Sequence, residues 1–423
     1  MASNVITPTE PRLATPTGLG RHAAWLVSGG LVQSLVAFGA NLVLVRHVAP
    51  EGFGRFALQL ASVGLVLSIL SLRGGTLVIR ARAEGATLDD ERRDTYANAI
   101  CQETLWAGLL ALGIMLATGP VDPLGLALIG AVLVQHLQTN LKAFRERSMA
   151  YRQLSLLETG SHFSGHGLSV LLVLTGAGVS ALYAREAVIA LVGLGGLHAL
   201  GALPRFRWRW LGPSDWRRLW QEARDVWLDG ALESGLARVL VLAAGFAGGE
   251  RGAGLFFQAR RLAMVPHQFL APVAGRLALN RFARSQDVEE RARGRRRLAL
   301  WLCPPLLVAA VMTVFLADPI VPWLLGENWQ DTTGLLVALV GVVVGTSLLA
   351  SLKMYLYAVR GWRLMLGARL LQFGALAIGL AIGSTSVAPE NAVLGVAWGV
   401  SIGFALAVAW AWLGILRLER ASR

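Results

Sequence analysis

Two adjacent arginines, Arg260 and Arg261, lie inside the apolar stretch AGLFFQARRLAMVPHQF, residues 253–269. A charged side chain at the centre of a lipid bilayer costs about 2.5–3.5 kcal/mol on insertion scales, so such charges are usually functional. His267 follows Arg260 by seven residues and shares its helical face. Arg238 is expected at a similar depth in the preceding antiparallel helix. Because guanidinium groups bind phosphate and carboxylate oxygens well, these four side chains predict an anion-binding site.

Further ionisable residues are expected near the cytosolic ends of the predicted membrane helices. Asp229 and Glu233 are four residues apart, precede Arg238 and lie near the cytosolic end of their helix, where they are solvated or line a cavity. They are too far from mid-membrane to neutralise Arg238, Arg260 and Arg261. An unpaired cationic cluster is explained if its missing anion is the substrate. Arg73 is a further candidate for substrate binding and Glu103 for ion coupling. Snorkelling or a structural ion pair would explain these two side chains equally well.

A polar stripe follows one face of the predicted fifth membrane helix. Glu158, His162 and His166 are each four residues apart, which places them on the same side of an α-helix. Two histidines and a glutamate could ligate a divalent metal ion, but no further ligand is apparent, and we predict no metal site and no cofactor. We expect instead a water-lined cavity wall whose histidines could couple transport to protons, with simple packing as the other alternative.

The composition identifies the kind of protein that must position these residues. Of 423 residues, 55% are hydrophobic and only 15% are charged, whereas a soluble domain carries about 25% charged residues. The sequence therefore predicts a multi-pass membrane protein. Its net charge of +13 resides mainly in arginines between apolar segments, which indicates membrane topology rather than nucleic-acid binding. The two cysteines, Cys101 and Cys303, are interpreted as small buried hydrophobic residues.

Twelve apolar segments are long enough to cross a hydrocarbon core of roughly 30 Å. They lie at 23–45, 56–79, 98–118, 121–141, 154–175, 178–202, 226–247, 252–278, 298–317, 331–354, 364–383 and 391–415. The predicted organisation is a cytosolic tail (1–21), a six-helix lobe (22–203), an amphipathic cytosolic connector (204–224), a second six-helix lobe (225–416) and a cytosolic tail (417–423). The first twenty residues lack the apolar core of a cleavable signal peptide. The short connections leave no room for a catalytic domain, so we do not expect an enzyme.

Basic residues alternate between successive connections. Most of the 39 lysines and arginines occur in every second connection, for example RARAEGATLDDERR and RFARSQDVEERARGRRR, and in the two tails. The other connections, such as TGPVDP and GSTSVAPE, contain almost none. Because basic connections remain in the cytoplasm, both termini are predicted on the cytosolic side of the membrane.

A short repeat recurs at an offset of 200 residues. PEGFGRF, residues 50–56, lies between the first and second spans, and ERGAGLF, residues 250–256, lies between the seventh and eighth. Equivalent positions in two six-helix halves indicate a duplicated transporter fold with its binding site between the halves. The predicted fold class is accordingly an all-α integral membrane protein with about twelve helices, in two pseudo-repeated lobes around a central cavity.

Three segments resemble bacterial polysaccharide flippases, the O-antigen and exopolysaccharide translocases of the multidrug/oligosaccharidyl-lipid/polysaccharide exporter superfamily. LVLVRHVAPEGFGRFALQLAS is similar to the family's turn between the first two spans, and ARVLVLAAGFAGGERGAGLFFQARRLAMVP to its counterpart in the second half. FLADPIVPWLLGENWQD is similar to the family's outer-loop pattern. The resemblance implies two six-helix lobes around an often cationic cavity. It also implies translocation of undecaprenyl-pyrophosphate-linked sugars across the bacterial inner membrane.

The leading hypothesis is a flippase that moves a lipid-linked oligosaccharide by alternating access, for polysaccharide assembly. Its expected partners are that anionic substrate, the lipid bilayer and polysaccharide polymerase machinery. No nucleotide-binding motif is present, so an ion gradient, the membrane potential or consumption of the product must drive transport. Two alternatives remain open. One is a cation-coupled drug exporter of the same superfamily, whose cavities usually favour acidic residues. The other is an integral-membrane polysaccharide polymerase or ligase, which typically has a sizeable outer loop.

Overall fold

The computed structural model describes residues 16–81, 88–118, 122–148, 150–270, 288–359, 361–385 and 388–421. Within these ranges the chain is helical and contains no β-strand. The predicted N-terminal tail up to residue 15 and the predicted end of the eighth span, residues 271–278, lie outside the described residues. The expected all-α fold is confirmed for the part of the chain that the structure covers.

Besides a helical segment at residues 265–270, the described residues form fourteen α-helices. These are α1 (Pro16–His47), α2 (Pro50–Leu70), α3 (Gly74–Arg80), α4 (Asp90–Thr118), α5 (Pro123–Leu141), α6 (Ala143–Arg147), α7 (Tyr151–Leu174), α8 (Ser180–Ala199), α9 (Pro213–Ala263), α10 (Val288–Leu325), α11 (Thr332–Ala338), α12 (Val340–Ala358), α13 (Trp362–Ser384) and α14 (Pro389–Ala421). The long helix α9 bends at Gly248 and Gly249, and the φ of 62° at Gly249 lies in the region that glycine adopts without strain. After a break at Met264, next to Pro266, residues 265–270 continue as a helix.

Ten helical segments of the described chain are long and apolar enough to cross a membrane. One of them, residues 213–270, bends at the two glycines of α9. Residues from both sides of the bend line the same cavity, so the two arms lie side by side and account for two crossings. The polar helix α7 is not among the ten, but its 24 residues extend about 36 Å at 1.5 Å per residue, which is sufficient for a crossing. The total agrees with the twelve predicted spans.

The second predicted span, 56–79, is not one continuous helix. α2 ends before Ser71, and Arg73 adopts a left-handed conformation (φ 61°, ψ 45°) before α3 begins. The Glu103 carboxylate accepts hydrogen bonds from the Ser71 hydroxyl at 3.0 Å and from the Leu72 backbone N–H at 2.8 Å. A break inside the membrane is tolerated only where the freed backbone groups find partners, and Glu103 supplies one here.

Other helix boundaries also differ from the sequence pattern. The predicted connector 204–224 is extended only up to residue 212, because Pro213, a favourable first residue of a helix, starts α9 there. The ninth predicted span, 298–317, lies within the longer α10, and the tenth, 331–354, is interrupted at Leu339 between α11 and α12. Hydropathy alone does not locate helix ends that continue into polar sequence.

The two halves of the chain meet through equivalent glycines. We call the end of the bundle with the arginine-rich connections the basic end, and the other the arginine-poor end. At the arginine-poor end, a Cβ atom on Gly54 of α2 would lie 1.6 Å from the carbonyl oxygen of Glu250. One on Gly254 of α9 would lie 1.9 Å from the carbonyl oxygen of Pro50. The contacts are reciprocal at an offset of 200 residues, so the sequence repeat corresponds to a close helix crossing.

Further contacts join the two lobes at the same end. Arg55 pairs with Glu250 at 3.1 Å, and Arg251 pairs with Glu51 at 3.0 Å. Trp329 of the second lobe is only 1% exposed and packs edge-on against a phenylalanine of α2. Exposed ion pairs contribute little, so the glycine crossing and the buried aromatic contact determine the interface. The structure is closed between its lobes at the arginine-poor end.

Candidate functional site

A cavity of about 200 Å³ lies inside the second lobe. α9 contributes to its wall from both sides of the glycine bend, and α12, α13 and α14 complete it. Five of its lining side chains are ionisable: Glu233, Arg260, His267, Lys353 and Arg369. The cavity therefore combines three permanent cations with one lining carboxylate. It belongs to one lobe, whereas the sequence pattern placed the site between the two halves.

The carboxylates Asp229 and Glu233 are both paired with cations from other helices. Lys353 Nζ lies 2.8 Å from Asp229 Oδ2 and also binds Glu233, while Arg369 Nη2 lies 2.8 Å from Glu233 Oε1. The Tyr357 hydroxyl donates a hydrogen bond to Asp229. The two acids thus belong to a charged network that joins α9, α12 and α13, and Glu233 also lines the cavity, which was one of the two alternatives predicted for them.

Lys353 and Arg369 are site residues that the sequence interpretation missed. The charge pattern assigned both to a basic cytosolic turn, yet their side chains are only 14% and 5% exposed. Each lies within an apolar run, SLKMYLY and LGARLLQF, as Arg260 does. Applying to them the criterion used for Arg260, a charge surrounded by membrane-helix residues, would have found them.

Arg260 lines the cavity without an acidic partner among the residues that the structure describes. Its side chain is half-buried and forms no hydrogen bond with any of them. His267 lines the same wall, and its Nδ1 lies 3.0 Å from the Ser347 hydroxyl oxygen. A guanidinium that faces a cavity without a counter-ion is available to bind an anion.

Arg238 does not line this cavity and lies between the two lobes. Its guanidinium packs against Gly64 of α2, where a Cβ atom would lie 2.5 Å from Arg238 Nε. Within the described ranges it forms no ion pair. Arg238 is thus placed at the contact between the lobes and Arg260 in the cavity wall, and their joint binding of one anion stays a prediction.

Arg261 points away from the cavity, although it follows Arg260 directly. It donates from Nη1 to Asn41 Oδ1 at 2.8 Å and from Nη2 to the carbonyl oxygen of Ala37 at 2.9 Å. Asn41 in turn donates to Gln258 Oε1 at 3.1 Å. Successive helical residues are about 100° apart, which explains the divergence. Arg261 joins α9 of the second lobe to α1 of the first.

Two other predicted candidates are fixed by local contacts. Arg73 donates to the carbonyl oxygen of Gly230 at 2.5 Å and to Ser234 Oγ at 2.6 Å, so it binds α9 across the lobe interface. Glu103, which already binds the break between α2 and α3, also lies 3.2 Å from Nε2 of His136. Both side chains therefore have structural contacts, although those of Arg73 are hydrogen bonds to neutral groups rather than an ion pair. Their roles in substrate binding and coupling stay predictions.

The stripe on α7 is placed partly in the interior of the first lobe. Glu158 pairs with Lys142, and the rings of His162 and His166 stack with centroids 6.2 Å apart. His166 is only 5% exposed. No group of three His, Cys, Asp or Glu side chains in the described ranges is arranged to hold a metal ion. Access of water to this stripe in another conformation stays a prediction.

The sequence matches a known protein family, and the fold is similar to that of solved transporter structures. Residues 43–333 match the family described as "Polysaccharide biosynthesis protein". No curated protein matches the sequence. A multidrug resistance MATE family transporter of the MOP superfamily, in its inward-facing conformation, has a similar fold, with a TM-score of 0.63 at 15% identity over 95% of this chain and 100% of that chain. A mutant of the Vibrio cholerae MATE transporter VcmN gives a TM-score of 0.62 at 13% identity over 96% of this chain and 98% of that one.

The family match covers more than half of the chain, and the similar structures share its two-lobed helical fold over nearly their whole length. At such low identity the solved structures show a similar fold only, whereas the family match shows the family to which the chain belongs. The ten described segments able to cross a membrane agree with both. The chain therefore belongs to the family described as "Polysaccharide biosynthesis protein" and is a multi-pass membrane protein whose fold is similar to that of MATE transporters.

Proposed function

We propose that this protein is a transporter that moves a pyrophosphate-linked lipid oligosaccharide from the cytosolic to the outer leaflet of a bacterial inner membrane. The observation that carries the proposal is the excess of cations in the second-lobe cavity. Three permanent cations, Arg260, Lys353 and Arg369, line the cavity, whereas the network contains two carboxylates, Glu233 and Asp229. Uncompensated charge is costly away from water, so an anionic substrate would stabilise this arrangement.

The size of the cavity suits the charged linker of such a substrate. Small-molecule pockets typically measure about 300–1,000 Å³, and this cavity measures about 200 Å³. It would hold a pyrophosphate rather than a whole oligosaccharide. The planar guanidinium groups of Arg260 and Arg369 match the spacing of phosphate oxygens, while the lipid tail would remain in the bilayer and the sugars in open solvent.

The closed arginine-poor end supports loading from the basic end. The glycine crossing and the interlobe contacts leave no separation between the lobes there. In alternating access, the lobes separate at that end after the other end has closed. An ion gradient, the membrane potential or removal of the product by polysaccharide polymerase machinery would give the cycle its direction.

A drug exporter is the second candidate, because the similar solved structures include a multidrug resistance MATE family transporter. The cavity argues against a cationic drug, since its three permanent cations would repel such a substrate. A polysaccharide polymerase or ligase would need catalytic groups on an outer loop. The described connections at the arginine-poor end, such as the turn between α1 and α2, are short.

A liposome assay tests the proposed substrate class. Purified protein is reconstituted with a fluorescent lipid-linked oligosaccharide, and a membrane-impermeant reagent reports which leaflet the lipid occupies. We expect the protein to accelerate translocation of the pyrophosphate-linked lipid but not of the same oligosaccharide joined through a neutral linker. Equal rates for the two lipids, or transport of a cationic dye instead, would contradict the proposal.

The orientation of the chain is a separate prediction from the alternation of basic connections. The basic end is expected in the cytosol, because positively charged connections resist translocation. A reporter enzyme that is active only outside the cytosol should be inactive when fused after Arg297 and active when fused after Gly326. Activity after Arg297 would reverse the topology and with it the side from which substrate is loaded.

A further inference from the structure

Glu233 has an unusual position among the charges of the second-lobe cavity. Its side chain is 48% exposed, whereas its two partners, Lys353 and Arg369, are 14% and 5% exposed. It is the one carboxylate that lines the cavity within the described part of the chain. Glu233 therefore lies over two buried cations, on the side from which a ligand would approach.

We infer that Glu233 is an internal anion that occupies the phosphate position of the empty site and is displaced by the substrate. This inference rests on the proposed function and adds a specificity-determining residue to it. A carboxylate held by an ammonium and a guanidinium uses the donors that a phosphate group requires. Glu233 is exposed and able to rotate away, while Lys353 and Arg369 are held among packed helices.

The exchange explains how two buried cations persist without substrate. A buried cation that loses its partner is costly, and in the substrate-free protein Glu233 pairs with both Lys353 and Arg369, while Asp229 supplies the second negative charge that balances them. A ligand must compete with this carboxylate for its donors. A singly charged ligand gains little over Glu233, whereas a pyrophosphate brings more charge and a second phosphate that reaches toward Arg260. The competition thus favours multiply charged head groups. It also aids their release, since Glu233 can bind Lys353 and Arg369 again as the head group leaves.

Asp229 provides a matched comparison within the same network. It carries the same charge and binds the same lysine, at 2.8 Å, but it is only 17% exposed and does not line the cavity. The Tyr357 hydroxyl donates a hydrogen bond to the same carboxylate oxygen, Asp229 Oδ2. Removing either carboxylate changes the net charge of the network by one unit, but of the two only Glu233 lines the cavity and binds both Lys353 and Arg369.

The test compares binding of inorganic pyrophosphate to the full-length protein in lipid nanodiscs. If Glu233 leaves the site free for one-tenth of the time, Glu233→Gln should bind pyrophosphate about tenfold more tightly than the wild type. Asp229→Asn should tighten binding much less. Asp225→Asn, on the same helix with a side chain that is 87% exposed, should leave binding unchanged. In the liposome assay, Glu233→Gln should lower both the apparent KM and the turnover rate, because release slows.

Equal tightening in Glu233→Gln and Asp229→Asn would reduce the effect to general electrostatics and overturn the inference. Unchanged binding in Glu233→Gln would overturn it as well. Glu233→Ala is the second variant, since it removes the carboxylate without leaving an amide that could bind the same cations, and it should also tighten binding. If both Glu233 variants bind like the wild type while the liposome assay still selects the pyrophosphate-linked lipid, this inference fails and the proposed function stands.

Discussion

Arg260→Gln is expected to reduce polysaccharide export about ten- to hundredfold, since a hydrogen bond to a charged group contributes about 1.5–3 kcal/mol and 1.4 kcal/mol corresponds to a factor of ten. Arg260 has no partner among the described residues, so its loss leaves no acid unpaired and the protein should remain folded in the membrane. Arg260→Lys should retain partial export, because it keeps the charge and loses the planar fork.

The neighbouring arginine provides a contrast one residue away. Arg261→Gln should lower the amount of folded protein, because it removes the bonds to Asn41 and to the carbonyl oxygen of Ala37 that join α9 to α1. Export should fall in proportion to that amount. Arg363→Gln is the control, since Arg363 is exposed at the basic end and stacks on Trp362. It should leave both quantities unchanged.

Export and membrane abundance are measured together in the same cells. Normal export by the Arg260→Gln, Arg261→Gln double variant, at normal abundance, would eliminate the cationic-site proposal. Reduced abundance of Arg260→Gln alone, with export falling only in step, would make Arg260 a structural residue. The two arginines are thus expected to separate transport from folding although they are adjacent in sequence.

The number of membrane crossings and the pairing of the two halves were predictable from sequence. A crossing needs about 20 apolar residues, a length that composition reveals directly. The repeat at residues 50–56 and 250–256 was visible because both helices must lack side chains where their backbones touch. These features depend on local composition, which a single sequence contains.

The partners of the charged residues were not predictable in the same way. The sequence groups Arg260 and Arg261 in one cluster, but their surroundings differ. The hydrogen-bond partners of Arg261 lie on α1, more than 200 residues earlier in the chain, whereas Arg260 has none among the described residues. Lys353 and Arg369 were assigned to a cytosolic turn, because a count of basic residues does not distinguish a solvated arginine from one that packs between helices. Position along a helix can be read from sequence, whereas the direction of each side chain and its partners depend on the tertiary packing.

Gly54→Ala is expected to prevent the lobes from closing at the arginine-poor end and to abolish transport. A Cβ atom there would lie 1.6 Å from the carbonyl oxygen of Glu250, which is backbone and cannot rotate away. Overpacking of this kind costs about 1–3 kcal/mol or more. Because the strain exists only while the lobes are in contact, it should favour conformations in which this end is open. A 3 kcal/mol difference shifts such an equilibrium by roughly a hundredfold.

The shift is measurable by cross-linking across the interface. Cysteines replacing Arg55 and Glu250, whose charged groups are 3.1 Å apart in the closed structure, should be joined by a flexible bifunctional thiol reagent that spans the length of the two lost side chains, in a protein without its two native cysteines. Adding Gly54→Ala should reduce the cross-linked fraction. Gly39→Ala is the control, because a Cβ atom on Gly39 of α1 meets no atom within 4 Å, and it should leave the fraction unchanged.

The reciprocal geometry supplies the strongest form of this prediction. Gly254 faces the carbonyl oxygen of Pro50 as Gly54 faces that of Glu250. Gly254→Ala, a substitution in the other lobe, should therefore cause the same loss of cross-linking and of transport. Two substitutions in opposite halves with the same conformational effect would identify the repeated glycines as the contact that closes this end. Normal transport by either variant, at normal abundance, would show that the lobes close through the surrounding ion pairs and aromatic contact instead.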